Sequence, residues 1–286
     1  MAAKRHVESG PGSIESVAAP WAEAPLHLQE LLALATDLAA AAGQVHDEGM
    51  RSALRIETKS SPTDLVSQVD REAERLIVER LRELRPDDAL LGEEGSLGAG
   101  TSGVRWVIDP LDGTTNYIYG YPAYAVSIAV EVDGEAQIGV VLDSSAGRMY
   151  RAVSGFGALC DDQPIRVREQ PDLATALVAT GFSYEAAQRE RQGAVVARVL
   201  GRVRDIRRGG TAALDLCHVA AGHVDAYWEL DLSPWDYAAG SVIARAAGAE
   251  VVFPRAEHGH GPAVVAAHRG LMPALLALLH ETGALN

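Results

Sequence analysis

The hydrophobic period of the chain changes along its length, and it changes in both halves, which restricts the available folds more than any other feature. From Leu26 the apolar positions Leu28, Leu31, Leu32, Ala35, Leu38, Ala39, Ala42 and Val45 recur every three or four residues, the spacing of one helical face. Residues 70–84 repeat that spacing at Ala73, Leu76, Ile77, Leu81 and Leu84 before Pro86 ends it. The middle of the chain turns to Val- and Ile-rich runs at 125–132, 136–142 and 148–153, with Asp133-Gly134 as a hairpin turn between the first two. Beyond residue 173, strand-like segments (176–180, 224–229, 251–253, 263–267) alternate with helix-like ones (185–200, 211–221, 235–247, 271–280). Strands mixed with helices through both halves predict an α/β protein of layered sheets and helices, and exclude a helical bundle or an all-β sandwich.

The chain has 286 residues, 48% of them hydrophobic and 22% charged, enough for a sizeable core. Residues 1–24 mix Gly, Pro, Ser and charges without periodicity and read as a flexible N-terminal extension, which leaves 25–286 as the folded domain. Lys and Arg number 25 against 39 Asp and Glu, a formal charge of −14. That balance repels nucleic-acid backbones and anionic membrane surfaces, so direct nucleic-acid binding is not expected. No run reaches the roughly 20 apolar residues of a membrane span, and the N-terminus lacks the apolar stretch of a signal peptide. Two cysteines, Cys160 and Cys217, make neither a disulfide framework nor a cysteine zinc motif, and the expected location is cytoplasmic.

Carboxylates gather where strand-like or loop-like sequence should stop: Asp64 and Asp70, Glu93-Glu94, Asp109 with Asp112, Glu229, and Asp236. The apolar run Trp106-Val107-Ile108 leads directly into Asp109-Pro110-Leu111-Asp112-Gly113-Thr114-Thr115-Asn116. A buried strand delivers Asp109 at its end, Pro110 fixes the turn, and Asp112 returns to the same side. Converging carboxylates repel one another unless a cation lies between them, and hard divalent ions such as Mg2+ take oxygen ligands. Gly113-Thr114-Thr115 adds backbone N–H groups and hydroxyls suited to phosphate oxygens. Metal ligands beside a phosphate cradle point to phosphoryl chemistry. Taken singly, Glu93-Glu94 also reads as a solvated loop, and Asp64 or Asp70 as a helix cap.

Leu91-Gly92-Glu93-Glu94-Gly95, Trp106 to Asn116 and Ser233-Pro234-Trp235-Asp236-Tyr237-Ala238-Ala239-Gly240 resemble the three signatures of the inositol monophosphatase family. Lys59-Ser60-Ser61-Pro62-Thr63-Asp64 and Arg207-Arg208-Gly209-Gly210-Thr211-Ala212-Ala213 are similar to further segments of that family, in the same order. The resemblance runs from about residue 26 to the C-terminus. It implies a layered α-β-α-β-α sandwich, usually a homodimer, that hydrolyses a phosphate monoester with two to three Mg2+ per subunit.

By that resemblance Glu93, Asp109 and the Leu111 carbonyl hold one Mg2+, and Asp109, Asp112 and Asp236 a second, with Asp109 bridging. A third, weaker site is reached through Glu93 and waters. Glu93 and Thr114 activate the attacking water, and Asp70 polarises the Thr114 hydroxyl. Gly113 and Thr114 bind phosphate. Asp112 and Glu229 accept hydrogen bonds from a polyol, and Gly210, Thr211 and Ala212 line its pocket, which Glu93, Leu111 and Asp236 also border. The implied substrate is myo-inositol 1-phosphate or a related phosphorylated polyol, and the implied inhibitor is lithium. Histidinol phosphate, fructose 1,6-bisphosphate and nucleotide 3′-phosphates are alternatives on the same fold, and a regulatory protein-binding scaffold is an alternative of another class. Leu230-Asp231-Leu232-Ser233-Pro234 departs from the Gly-containing stretch usual before the Trp-Asp pair. His258 and His260 read as loop residues, Cys217 as a core residue, and Arg202, Arg204, Arg207 and Arg208 as a salt-bridged face.

Overall fold

The computed structural model describes residues 19–51, 56–58, 65–95, 97–170, 172–256 and 261–286. The first helix, α1 (Leu26–Met50), buries Leu28, Leu31, Leu32, Ala35, Leu38, Ala39 and Ala42 as its spacing predicts, but the stripe ends on His46 and not on Val45. A two-stranded ribbon, β1 (Ile56–Thr58) with β2 (Leu65–Ser67), leads into α2 (Gln68–Leu84). The chain then forms β3 (Ala89–Gly92), β4 (Leu97–Gly98) and β5 (Val104–Asp112), a turn of helix α3 (Thr114–Tyr119), and the meander β6 (Ala125–Val132), β7 (Glu135–Asp143), β8 (Arg148–Val153), β9 (Gly157–Cys160) and β10 (Gln163–Pro164). These strands make one eight-stranded sheet in the order β10-β9-β8-β7-β6-β5-β3-β4.

The second half supplies β11 (Leu177–Thr180), α4 (Ala186–Val199), β12 (Asp205–Arg207), α5 (Ala212–Ala220), β13 (Ala226–Leu230), α6 (Pro234–Ala246), β14 (Ala249–Val252), β15 (Ala263–His268) and α7 (Met272–Thr282). Its five strands pair in the order β12-β11-β13-β15-β14. Each apolar face finds its own partner. One core joins α1 and α2 to the large sheet through Ile77, Leu81, Trp106, Ile128 and Val140. A second, rich in Ala and Val, seats α5 and α6 between the two sheets. A third closes α4 and α7 over the outer face of the small sheet through Val178, Trp228, Leu275 and Leu279. The layers therefore run α-β-α-β-α, as the resemblance implies.

The core begins before residue 25. Trp21 and Ala24 are buried against α1, and the Arg151 guanidinium stands over the Trp21 ring. Residues 19–24 thus belong to the folded body, contrary to their reading as extension, because one large aromatic outweighs the Pro- and Ala-rich composition around it. Among the described residues no helix is long and apolar enough to cross a membrane. Both cysteines are free thiols.

Candidate active site

The parallel pair β3 and β5 ends at one point, and the acidic residues emerge there. On β5, Asp109 pairs with Ser127 and Asp112 with Ala125, so two residues of β5, Pro110 and Leu111, oppose one of β6, Val126. This one-residue bulge turns the strand end and brings two carboxylates to one side. Asp109 is 2% exposed, and its Oδ1 accepts the Leu111 N–H at 3.0 Å. The bulge rests on a small apolar cluster of Val69, Leu111, Tyr117 and Tyr124. Gly113 follows with φ 91°, and a Cβ there would meet the Ala123 carbonyl at 2.9 Å, so both conformation and space require glycine. It forms the N-cap of α3, whose first N–H groups lack helical acceptors.

Asp70 lies fully buried opposite α3. The helix cap is Ser67, not Asp70: Asp70 Oδ2 accepts from Ser67 N at 2.8 Å and Ser67 Oγ at 2.6 Å, which makes Asp70 the third residue of a capping box. Its other oxygen, Oδ1, accepts from Thr114 Oγ1 at 2.7 Å. One carboxylate thus closes the capping box of α2 and orients the threonine hydroxyl. On the β3 side the Glu93 N–H donates to the Ile108 carbonyl at 3.2 Å, and the Glu94 N–H to Glu74 Oε2 at 2.8 Å, so this acidic pair is a built corner and not a loose loop.

The second half of the chain closes the site. Asp112 Oδ2 accepts the Ala213 N–H at 2.8 Å at the start of α5, whose positive end favours the carboxylate. Thr211 caps that helix, accepting from Leu214 N at 3.0 Å. Asp236 is the third residue of α6 and accepts the Ser233 N–H at 2.7 Å. Glu229, on β13, accepts from Tyr227 Oη at 2.8 Å. Glu93, Asp112, Gly210, Thr211, Ala212, Glu229 and Asp236 all line one cavity of about 390 Å³. A larger cavity, about 510 Å³, lies on the far side beside β9, β10 and the end of α6, away from these carboxylates.

Charge density is the main property of this cavity. Asp109 is raised well above the ordinary carboxylate range, first by burial and then by the charges of Glu93, Asp112 and Asp236, with Glu93 in hydrogen-bond contact. Burial also pushes Asp112 up to about 7, against the opposing hydrogen bonds from Thr211 and Ala213. Asp236 is raised by burial and by Asp112 and Glu93. Glu229 is raised by burial, opposed by Tyr227 and Arg208. Such a set of mutually repelling oxygens fits hard divalent cations. Among the described residues no three His, Cys, Asp or Glu close on one point at metal-ligand spacing.

The structure brings together Asp70, Glu93, Asp109, Leu111, Asp112, Gly113, Thr114, Gly210, Thr211, Ala212, Glu229 and Asp236. Asp64, His258 and His260 lie outside the described residues. Of the arginine cluster, Arg202 and Arg207 are salt-bridged to Glu281 and Asp205, and Arg204 donates to the Thr175 carbonyl. Arg208 differs, lining the cavity with its guanidinium over the Phe182 ring. Three neighbours carry no sequence motif. Tyr184 lines the cavity beside Thr115. Asp215 is buried on α5 with Oδ2 unpartnered. His46 reaches the bulge from α1, and the three-and-four spacing continued one step beyond Ala42 leads to it.

Comparison with known proteins agrees with this geometry. The model of the inositol monophosphatase family matches residues 27–284. An inositol-1-monophosphatase of Mycobacterium leprae is 47% identical over 257 residues, covering 86% of this chain and 85% of that protein. A protein of Pasteurella multocida described as Nus factor SuhB is 39% identical over 248 residues, 85% of this chain and 93% of its own. The solved structure of Mycobacterium tuberculosis SuhB superposes with a TM-score of 0.78 at 41% identity, covering 90% of this chain and 98% of that one. With signatures, layers and carboxylates all in place, the chain belongs to the inositol monophosphatase family, whose members are phosphoric monoester hydrolases.

Proposed function

We propose that this protein hydrolyses a phosphorylated polyol, myo-inositol 1-phosphate first among them, by in-line attack of water with Mg2+ as cofactor. The observation that carries the reading is the meeting of Glu93, Asp109, Asp112 and Asp236 beside the Thr114–Asp70 pair, with Glu229 across the same cavity. Glu93, Asp109 and the Leu111 carbonyl would hold one cation, Asp109, Asp112 and Asp236 a second, and a third would be reached through Glu93. Bound there, Mg2+ supplies positive charge for the phosphate and the leaving oxygen, and lowers the pKa of water.

The chain's own groups do the rest. Thr114 Oγ1 donates its hydrogen bond to Asp70, so its lone pairs are free to accept a hydrogen bond from the attacking water. Glu93 is the neighbouring carboxylate able to accept the proton that this water gives up as it attacks. Gly113 and Thr114 offer N–H groups to phosphate oxygens at the start of α3. Across the cavity Glu229 accepts polyol hydroxyls beside Gly210, Thr211 and Ala212, and Asp112 accepts one from the other side. A buried carboxylate acceptor in the leaving-group pocket suits a hydroxyl-rich leaving group and repels the second phosphate of a sugar bisphosphate. The protein would act in the cytoplasm as a homodimer, without membrane or nucleic-acid partners. The likeness to the Nus factor SuhB of Pasteurella multocida supports an additional protein-binding role, alongside catalysis because the carboxylate set is complete.

Phosphate release from a panel of esters, with Mg2+ and after exhaustive chelation, tests the reading. The highest kcat/KM should fall to inositol 1-phosphate, and turnover should vanish without the metal. Equal turnover after chelation, or preference for a substrate without vicinal hydroxyls, would overturn it.

A further inference from the structure

Pro110 stands between the two carboxylates of the bulge and is buried, and its carbonyl lies in the stretch where β5 and β6 lose register. A buried carbonyl needs a donor, and here the donor comes from another layer of the fold. His46, on α1 and fully buried, has Nε2 2.9 Å from the Pro110 oxygen. A carbonyl only accepts, so Nε2 carries the proton, and Nδ1 is left to accept from Ser144 Oγ at 2.9 Å. Both ring nitrogens are thereby satisfied in a single neutral tautomer. The ring packs beside Tyr117 and Tyr124, with centroids at 5.8 and 6.1 Å, and the Tyr117 hydroxyl donates to the His46 carbonyl at 2.7 Å. Tyr117 belongs to α3, three residues after Thr114.

We propose that His46 is a positioning residue for the reaction: by holding the Pro110 carbonyl from α1 it sets the placement of Asp109 and Asp112 toward divalent cations. The inference rests on the phosphatase reading and extends it to a residue outside every sequence signature. The ring works through geometry. Without a donor the Pro110 carbonyl must turn toward another partner, and the Pro110–Leu111 peptide, whose N–H holds Asp109 Oδ1, turns with it.

Three variants separate positioning from simple packing. His46→Phe keeps an aromatic ring but has no donor. His46→Gln places an amide N–H close to where Nε2 stands. Ser144→Ala leaves the ring in place but releases the tautomer. Mg2+ binding to metal-free protein is measured by isothermal titration calorimetry, with thermal melting of the same samples and KM for inositol 1-phosphate at saturating Mg2+. His46→Phe should weaken Mg2+ binding about tenfold, or roughly 1.4 kcal/mol. His46→Gln should recover it to within about threefold, Ser144→Ala should fall between, and KM should hardly move. A His46→Phe protein that melts earlier yet binds Mg2+ as tightly as wild type would refute positioning while leaving the phosphatase reading intact. If His46→Phe does not fold, unchanged Mg2+ affinity in Ser144→Ala refutes it equally. A wild-type protein that neither binds Mg2+ nor hydrolyses esters would instead remove the reading beneath it.

Discussion

Glu229 can be displaced without being mutated. Gly181 directly follows β11, and the parallel register that pairs Thr180 with Trp228 sets Gly181 alongside Glu229. The Glu229 carboxylate folds over its Cα so closely that a Cβ at Gly181 would lie inside the 3.0 Å that real Cβ contacts essentially never cross. Gly181→Ala must therefore push the carboxylate aside and break its 2.8 Å hydrogen bond from Tyr227. A charged acceptor lost from the polyol is worth about 1.5–3 kcal/mol, or roughly 10- to 100-fold in kcat/KM. Asp109, Asp112 and the Thr114–Asp70 pair are untouched, so a simple ester such as glycerol 2-phosphate should lose less than about threefold. Steady-state kinetics on both esters should give Gly181→Ala and Glu229→Gln the same selective loss for inositol 1-phosphate. The double variant should be little worse than either, because both remove one interaction. Equal losses on the two esters, or additive effects in the double variant, would refute the reasoning.

Asp70→Asn should lower kcat about 100-fold with KM nearly unchanged, since it disorients Thr114; Ser67→Ala should cost only about 1 kcal/mol in urea melts, as a lost helix cap does. Asp109→Asn should abolish phosphate release, whereas Asp133→Asn should leave it unchanged, because Asp133 sits in a left-handed turn (φ 54°) that Asn adopts readily. Lithium should inhibit, provided the Asp236 site tolerates Asp231, which takes φ 66° and accepts the Gly261 N–H at 2.5 Å; a LiCl titration at saturating substrate decides. Burial holds His46 near a pKa of about 4, against 6.5 when unfolded. The unfolded chain therefore binds a proton that the native one refuses, so His46 by itself lowers stability by about 3 kcal/mol as pH drops from 6.5 to 4. The raised Asp109, Asp112 and Asp236 act in the opposite sense over the same range in metal-free protein, so the readout is the difference between wild type and His46→Gln in urea melts, which should shift against wild type by that amount as pH falls.

Local features follow from the amino-acid order alone. Helical spacing in α1 and α2, the alternating strands β6 to β8 and the Asp133-Gly134 hairpin follow from neighbours a few residues apart, so they were legible. The acidic stretch was legible for the same reason: an apolar strand running into Asp109-Pro110-Leu111-Asp112-Gly113-Thr114 has little use as a surface loop. Trp21 lies in no periodic segment, because its burial depends on α1 and Arg151, remote in the chain. Asp70 read equally well as a cap or a site residue, and only the fold puts its second oxygen against Thr114, 44 positions away. His46, Arg208 and the Gly181–Glu229 contact were decided by tertiary structure alone. Each depends on which layer faces which, and a side chain that satisfies a bulge 64 residues distant leaves no periodic trace in its own helix beyond being buried.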